Sequence, residues 1–168
     1  QLSILRRLHN LDGTLWRSTP TMYRPEWTPE LNEAALTRFP ASEASALRRR
    51  LDEWCDEAQP LFEPSCMISG DPNPRNWGLW ADGRLVHFDW ERFGWGTPAI
   101  DLAITVPGLG AEGEFRAVAS VYLQSSDLVS VQALSRQLRM LKAWTVVDLL
   151  AKFCQQDSTV RDGTGEDS

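Results

Sequence analysis

A chain of 168 residues with 42% hydrophobic and 24% charged side chains can build one domain with its own core, which excludes wholesale disorder. A formal net charge of −6 argues against a nucleic-acid partner, since phosphate-backbone binders gather Lys and Arg on one face, and the one basic cluster (Arg48, Arg49, Arg50) is followed by Asp52, Glu53, Asp56 and Glu57. Three cysteines without a CxxC pair, two histidines and no run of 18 apolar residues exclude a structural zinc site, a disulfide framework and a membrane span, and fit a reducing cytoplasm.

Leu2, Leu5 and Leu8 predict an opening helix over about 2–10. The chain enters that helix without an initiator Met, which reads as a fragment of something longer. A loop follows, with DGT, STP and RPEWTP and with Trp16 and Trp27. Thr28-Pro29-Glu30 predicts a capped helix ending at Phe39, and Ser42 a cap for the next, which carries Leu47, Leu51, Trp54 and Ala58 on one face and stops before Pro60.

The period then changes. The short apolar run CMIS leads into GDPNPRN, which Gly and two prolines keep out of regular structure. WGLW and RLVHF flank Ala81-Asp82-Gly83-Arg84, an Asp-Gly hairpin signal. Helices are predicted near 99–106, 112–125 and 128–153, the last with Leu134, Leu138, Leu141, Trp144, Val147 and Leu150 or Ala151 on one stripe. The tail, 155–168, is too polar to pack and reads as disordered.

A two-residue type I′ turn at Asp82 and Gly83 would pair Trp80 with Leu85, Leu79 with Val86, Trp77 with Phe88 and Asn76 with Asp89. Opposed residues have Cβ atoms about 4.5–5.5 Å apart, so one hard cation could take an oxygen from both. Mg²⁺ suits such a site, because it accepts one or two protein oxygens and completes its shell with water and phosphate. Asp71 lies five residues before Asn76 on a loop stiffened by Pro72 and Pro74. A carboxylate base beside an Asn/Asp metal pair is the equipment of phosphoryl transfer. The same five-residue step from Asp to Asn, with a metal-binding Asp further on, marks protein kinases.

SGDPNPRN at 69–76, HFDWERFGWGTPAIDLA at 87–103 and LRRLHNL at 5–11 together resemble the aminoglycoside phosphotransferase and choline kinase-like family, whose catalytic loop usually reads HGDxxxxN. The resemblance implies a predominantly helical α+β fold, the C-terminal lobe of a protein-kinase-like architecture with one or two short β-hairpins carrying the catalytic loop, over residues 1–154. It also implies ATP as co-substrate and Mg²⁺ as cofactor, a small hydroxyl acceptor of aminoglycoside, choline or sugar type, Asp71 as catalytic base, and Asn76 and Asp89 as metal ligands. Asp101 would support the catalytic loop by accepting backbone N–H bonds. Ser69 stands where the family usually has His, which puts the loop's rigidity in question.

The only lysines are Lys142 and Lys152, and no Gly-rich strand pair precedes the first helix, so the N-terminal nucleotide-binding lobe is expected to be missing and the chain inactive without it. Asn73 and Arg75 are candidate phosphate contacts, though exposed loop polarity is the simpler reading. Glu91 reads equally as a metal or substrate contact and as an ion-pair partner of Arg92 or Arg75. Trp77, Trp80, Trp90 and Trp95 read as core and packing residues, His87 as a strand residue, and His9 as packing or surface. The rival reading is a non-catalytic kinase-like module binding a metabolite or a protein.

Overall fold

The computed structural model describes residues 1–12, 21–124 and 126–162, with side chains through Cys154. The DGT and STP turns with Trp16, and residues 163–168 of the tail, therefore lie outside the described residues. The architecture is predominantly helical, with two small antiparallel sheets. In chain order come α1 (Leu2–His9), α2 (Pro29–Leu36), α3 (Ala41–Ala58), β1 (Cys66–Ile68), β2 (Trp77–Leu79), β3 (Leu85–His87), β4 (Gly94–Gly96), α4 (Pro98–Thr105), α5 (Glu112–Leu123) and α6 (Leu128–Asp162).

Helix α2 starts as its sequence predicts, with Pro29 in the first turn and the Leu31 N–H donating to Thr28 Oγ1 at 3.4 Å. It ends at Leu36 rather than Phe39. Ser42 does not cap α3: that helix begins at Ala41, and Pro40 holds the cap position with no side-chain bond. Helix α6 runs past the predicted end at residue 153 to Asp162, because QQDSTVRD contains neither Gly nor Pro and nothing stops the helix before Gly163.

The core forms where α6 crosses the others. Leu138, Leu141, Trp144, Val147 and Ala151 recur at three- and four-residue steps and are all buried, packing with Trp27, Ile68, Ile100, Leu102 and Phe115. Each large side chain so buried stabilises by about 1.5–3 kcal/mol. The indoles bury only with their N–H groups satisfied: Trp144 Nε1 donates to the Glu26 carbonyl at 2.8 Å and Trp27 Nε1 to Asn32 Oδ1 at 2.7 Å. Of the four tryptophans expected inside, Trp95 is buried, but Trp80 and Trp90 are 60% and 46% exposed. Trp80 closes the ribbon's turn, and Trp90 lies past its end, packed against the rings of His87 and Phe93.

Strand β1 pairs with β4 (Cys66 with Gly96, Met67 with Trp95, Ile68 with Gly94), so the ribbon β2–β3 is an excursion between two strands anchored in the core. That anchoring positions the loop 69–76. The segment around Tyr23 crosses the far edge of β4, with Tyr23 N–H donating to the Phe93 carbonyl and Trp95 N–H to the Tyr23 carbonyl. A side chain at Gly94 would run into that Tyr23 carbonyl.

The β2–β3 register differs by one residue from the predicted one. Trp77 faces His87, Gly78 faces Val86 and Leu79 faces Leu85. A type I′ turn needs positive φ at both Asp82 and Gly83, and only Gly83 has it, at 82°. Ala81-Asp82-Gly83 instead form a three-residue loop closed by Trp80 N–H to the Arg84 carbonyl at 2.9 Å. Asp82 tightens it by accepting the Arg84 N–H at 3.0 Å. Asn76 is therefore opposed by Phe88, whose N–H donates to the Asn76 carbonyl at 2.7 Å, and Asp89 lies one residue beyond.

Candidate active site

The loop between β1 and β2 is fixed from behind by a buried carboxylate. Asp101, fully buried in the first turn of α4, accepts the Ser69 N–H at Oδ2 and the Gly70 N–H at Oδ1, both at 2.8 Å. Bonds of this charge-assisted kind are about twice as strong as neutral ones. His9 Nε2 donates to the same Oδ2 at 3.0 Å, and His9 Nδ1 shares a hydrogen bond with the Tyr122 hydroxyl at 2.9 Å. Through His9, α1, α4 and α5 are tied to the loop by one chain of hydrogen bonds.

Gly70 takes φ of 77°, and a Cβ there would collide with the carbonyl of Arg92. Close approach of two backbones and a left-handed conformation both demand glycine. Gly70→Ala should lower stability by about 1–3 kcal/mol for the backbone strain alone. Thermal unfolding checks this, and an unshifted Tm would contradict the geometry.

Ahead of Gly70, the carbonyl of Asp71 is a hub. Asn76 Nδ2 donates to it at 3.0 Å, and Trp77 Nε1 donates to the next carbonyl, that of Pro72, at 3.1 Å. Because its nitrogen is committed to the loop, the Asn76 amide presents Oδ1 as its remaining donor atom. The Asp71 carboxylate and the Asn76 oxygen thus belong to one closed turn. The 3₁₀ turn Pro74–Asn76 completes it, with Asn73 Oδ1 accepting the Arg75 N–H at 3.0 Å.

Asp89 does not sit directly across from Asn76 as the type I′ register would have it. It follows β3 with φ of 59°, a left-handed conformation that Asp tolerates better than most residues. Three His, Cys, Asp or Glu side chains do not converge into a metal cage among the described residues. Mg²⁺ does not require one, since it is usually held by one or two carboxylate or amide oxygens plus phosphate, and an oriented Asn76 oxygen with an exposed Asp89 carboxylate fits that chemistry.

The surroundings of Asp71 are polar and half-buried. Arg92 turns to Asp148 at 3.2 Å rather than to Glu91, and its guanidinium lies 5.6 Å over the Tyr23 ring. Lys152 reaches the same Asp148 oxygen at 2.7 Å. Burial pushes the Asp148 carboxyl up, against the pull of Arg92. Burial likewise raises the Tyr23 phenol to about 12, with Arg92 opposing and the Asp148 and Asp71 carboxylates adding to it.

A family model described as the phosphotransferase enzyme family matches residues 2–139. The chain belongs to the phosphotransferase enzyme family. No curated protein matches it. Among solved structures it is similar to choline kinase LicA from Streptococcus pneumoniae, at 20% identity and a TM-score of 0.45, the match covering 99% of this chain and 56% of that one. The chain thus spans a little over half the length of that structure.

Within this family member, the loop residues Asp71, Asn73, Arg75 and Asn76 share one turn, and Asp101 lies directly behind it. Glu91 and Arg75 are exposed, and Asn73 spends its side-chain oxygen on its own turn. His9, Tyr122 and Tyr23 went unread as site residues. For His9 a signal existed: it lies four residues after Leu5 on the buried side of α1, where a polar side chain needs a partner. Tyr122 and Tyr23 reach the site only through long-range packing.

Among the described residues no helix is long and apolar enough to cross a membrane, and Cys55, Cys66 and Cys154 are free thiols. Burial pushes the Cys66 thiol up to about 12, so it stays protonated and unreactive.

Proposed function

We propose that this phosphotransferase moves the γ-phosphate of ATP to a hydroxyl of a small molecule of aminoglycoside, choline or sugar type, with Asp71 as the base. The observation that carries the reading is the closed turn 71–76. One backbone carbonyl, that of Asp71, orients the Asn76 amide, and the buried Asp101 anchors the two residues before Asp71. A turn closed in this way restricts the backbone that carries the proton acceptor and the metal donor before any ligand arrives, and such positioning is where much of the rate in phosphoryl transfer originates.

In this mechanism the Asp71 carboxylate orients the acceptor hydroxyl and takes its proton as the oxygen attacks. Asn76 Oδ1 and the Asp89 carboxylate would hold Mg²⁺. The ion, when bound, neutralises charge on the phosphate oxygens. Asp101 keeps the loop from relaxing, with His9 and Tyr122 behind it. Arg75 and Glu91, both exposed, are the candidates for phosphate or substrate contact.

Residues 1–154 are read as the C-terminal lobe, working with an N-terminal nucleotide-binding lobe in a reducing cytoplasm and inactive without it. The family match and the presence of only two lysines, of which Lys142 is buried against the Val106 carbonyl and Lys152 paired with Asp148, support this.

The test is transfer of label from γ-labelled ATP by the intact gene product to kanamycin, choline or glucose. Mg²⁺-dependent labelling of one of them, abolished by EDTA, is expected. Asp89→Ala should raise the Mg²⁺ needed for half-maximal rate by at least about 10-fold, since even residues behind a metal's ligands are worth that much. An unchanged Mg²⁺ requirement in that variant would remove Asp89 from the metal site.

A further inference from the structure

His87 ends β3 with its ring buried, 8% exposed, between two indoles: the centroids of Trp77 and Trp90 lie 4.5 and 4.6 Å away. Its Nε2 is 3.3 Å from the Asp71 carbonyl oxygen and 3.3 Å from Ser69 Oγ. Trp90 Nε1 donates to the His87 carbonyl at 3.1 Å, fixing the backbone that carries the ring. A carbonyl can only accept, so Nε2 must carry the proton. Nδ1 has no hydrogen-bond partner among the described residues, so the Nε2 contacts are the ring's only ones.

We infer that His87 is a positioning residue for phosphoryl transfer, bracing the catalytic loop from the neighbouring strand. The inference rests on Asp71 being the base. The Asp71 carbonyl receives two donors from opposite sides in sequence, Asn76 Nδ2 from ahead and His87 Nε2 from the far strand. With one of them removed, the peptide that carries the base and orients the metal donor has a single hydrogen bond left at that oxygen.

The same contact gives Ser69 a place. A serine at the first loop position is small enough to leave room for the His87 ring, and its hydroxyl oxygen accepts a share of the Nε2–H. The imidazole that this loop lacks at residue 69 is supplied from residue 87, and the one-residue difference in ribbon register is what puts it there. In the type I′ register Phe88 would face Trp77; in the structure His87 does.

A role of this kind depends on the Nε2 donor, not on bulk. A glutamine amide nitrogen can take the position of Nε2, and an asparagine one only that of Nδ1, so His87→Gln and His87→Asn separate support of the loop from general packing. The assay is MgATP turnover by the intact gene product with the kanamycin, choline and glucose panel. We expect His87→Asn to lower kcat by about 10- to 100-fold with KM for MgATP nearly unchanged, and His87→Gln to restore most of the loss. Equal rates for the two variants, or wild-type kcat in His87→Asn, would overturn the proposal.

Failure of the underlying reading shows separately, as Asp71→Asn turning over like wild type. A readout independent of turnover and of any variant is the ¹⁵N spectrum of the wild-type imidazole. The Nε2–H tautomer is expected, and the Nδ1–H tautomer at His87 would overturn the proposal whatever the kinetics.

Discussion

Asp71→Asn in the intact gene product should lower kcat by about 10²–10⁴-fold, the usual worth of a positioned general base, and leave KM for MgATP nearly unchanged. The substitution keeps the shape of the side chain and does not touch the backbone carbonyl, so the bond from Asn76 and the anchoring of Ser69 and Gly70 by Asp101 survive. What disappears is the capacity to take a proton from the attacking hydroxyl. A proportional rise in KM with little change in kcat would mean that Asp71 contributes ground-state binding instead.

Asp101→Ala should be the most destabilising single change near the site. The carboxylate is wholly buried and has three donors: the N–H groups of Ser69 and Gly70, and His9 Nε2. Truncation leaves all three without an acceptor in a place water does not reach. Orphaned buried donors cost about 1–3 kcal/mol each, so losing the acceptor of all three should cost at least about 3–5 kcal/mol in total. For a chain of this size that is a fall in Tm of roughly 10–15 °C. Activity should fall with it, since the loop would lose its anchor. An unfolding midpoint within about 2 °C of wild type would show that the network is not the brace its geometry implies.

Much of the candidate site could be read from the residues because the loop 69–76 is local. Gly70, the two prolines and the step from Asp71 to Asn76 all fall within seven residues, and short-range turn chemistry determines their relation. The helices were legible for the same reason: α4, α5 and the buried stripe of α6 follow directly from three- and four-residue apolar steps.

The ribbon was misread where one dipeptide serves two turns. Asp-Gly fits a two-residue type I′ turn, and it equally fits a three-residue loop ending in a left-handed glycine; the sequence pattern of the strands tolerates both. The difference of one residue moved Phe88 opposite Asn76 and carried His87 to the loop. What could not be read locally was the network behind the loop. His9, Asp101 and Tyr122 are 92 and 113 residues apart along the chain in their two contacts, and only the packing of α1, α4 and α5 brings them together.

The most direct test of the central claim is a crystal structure of the intact gene product with a non-hydrolysable ATP analogue and Mn²⁺ in place of Mg²⁺, the metal located by its anomalous scattering. The account predicts the ion on Asn76 Oδ1 and the Asp89 carboxylate, bridging to phosphate oxygens, with the Asp71 carboxylate off the metal and facing the open side of the γ-phosphate. Metal bound to Asp71, or phosphates lying away from the 71–76 turn, would contradict it.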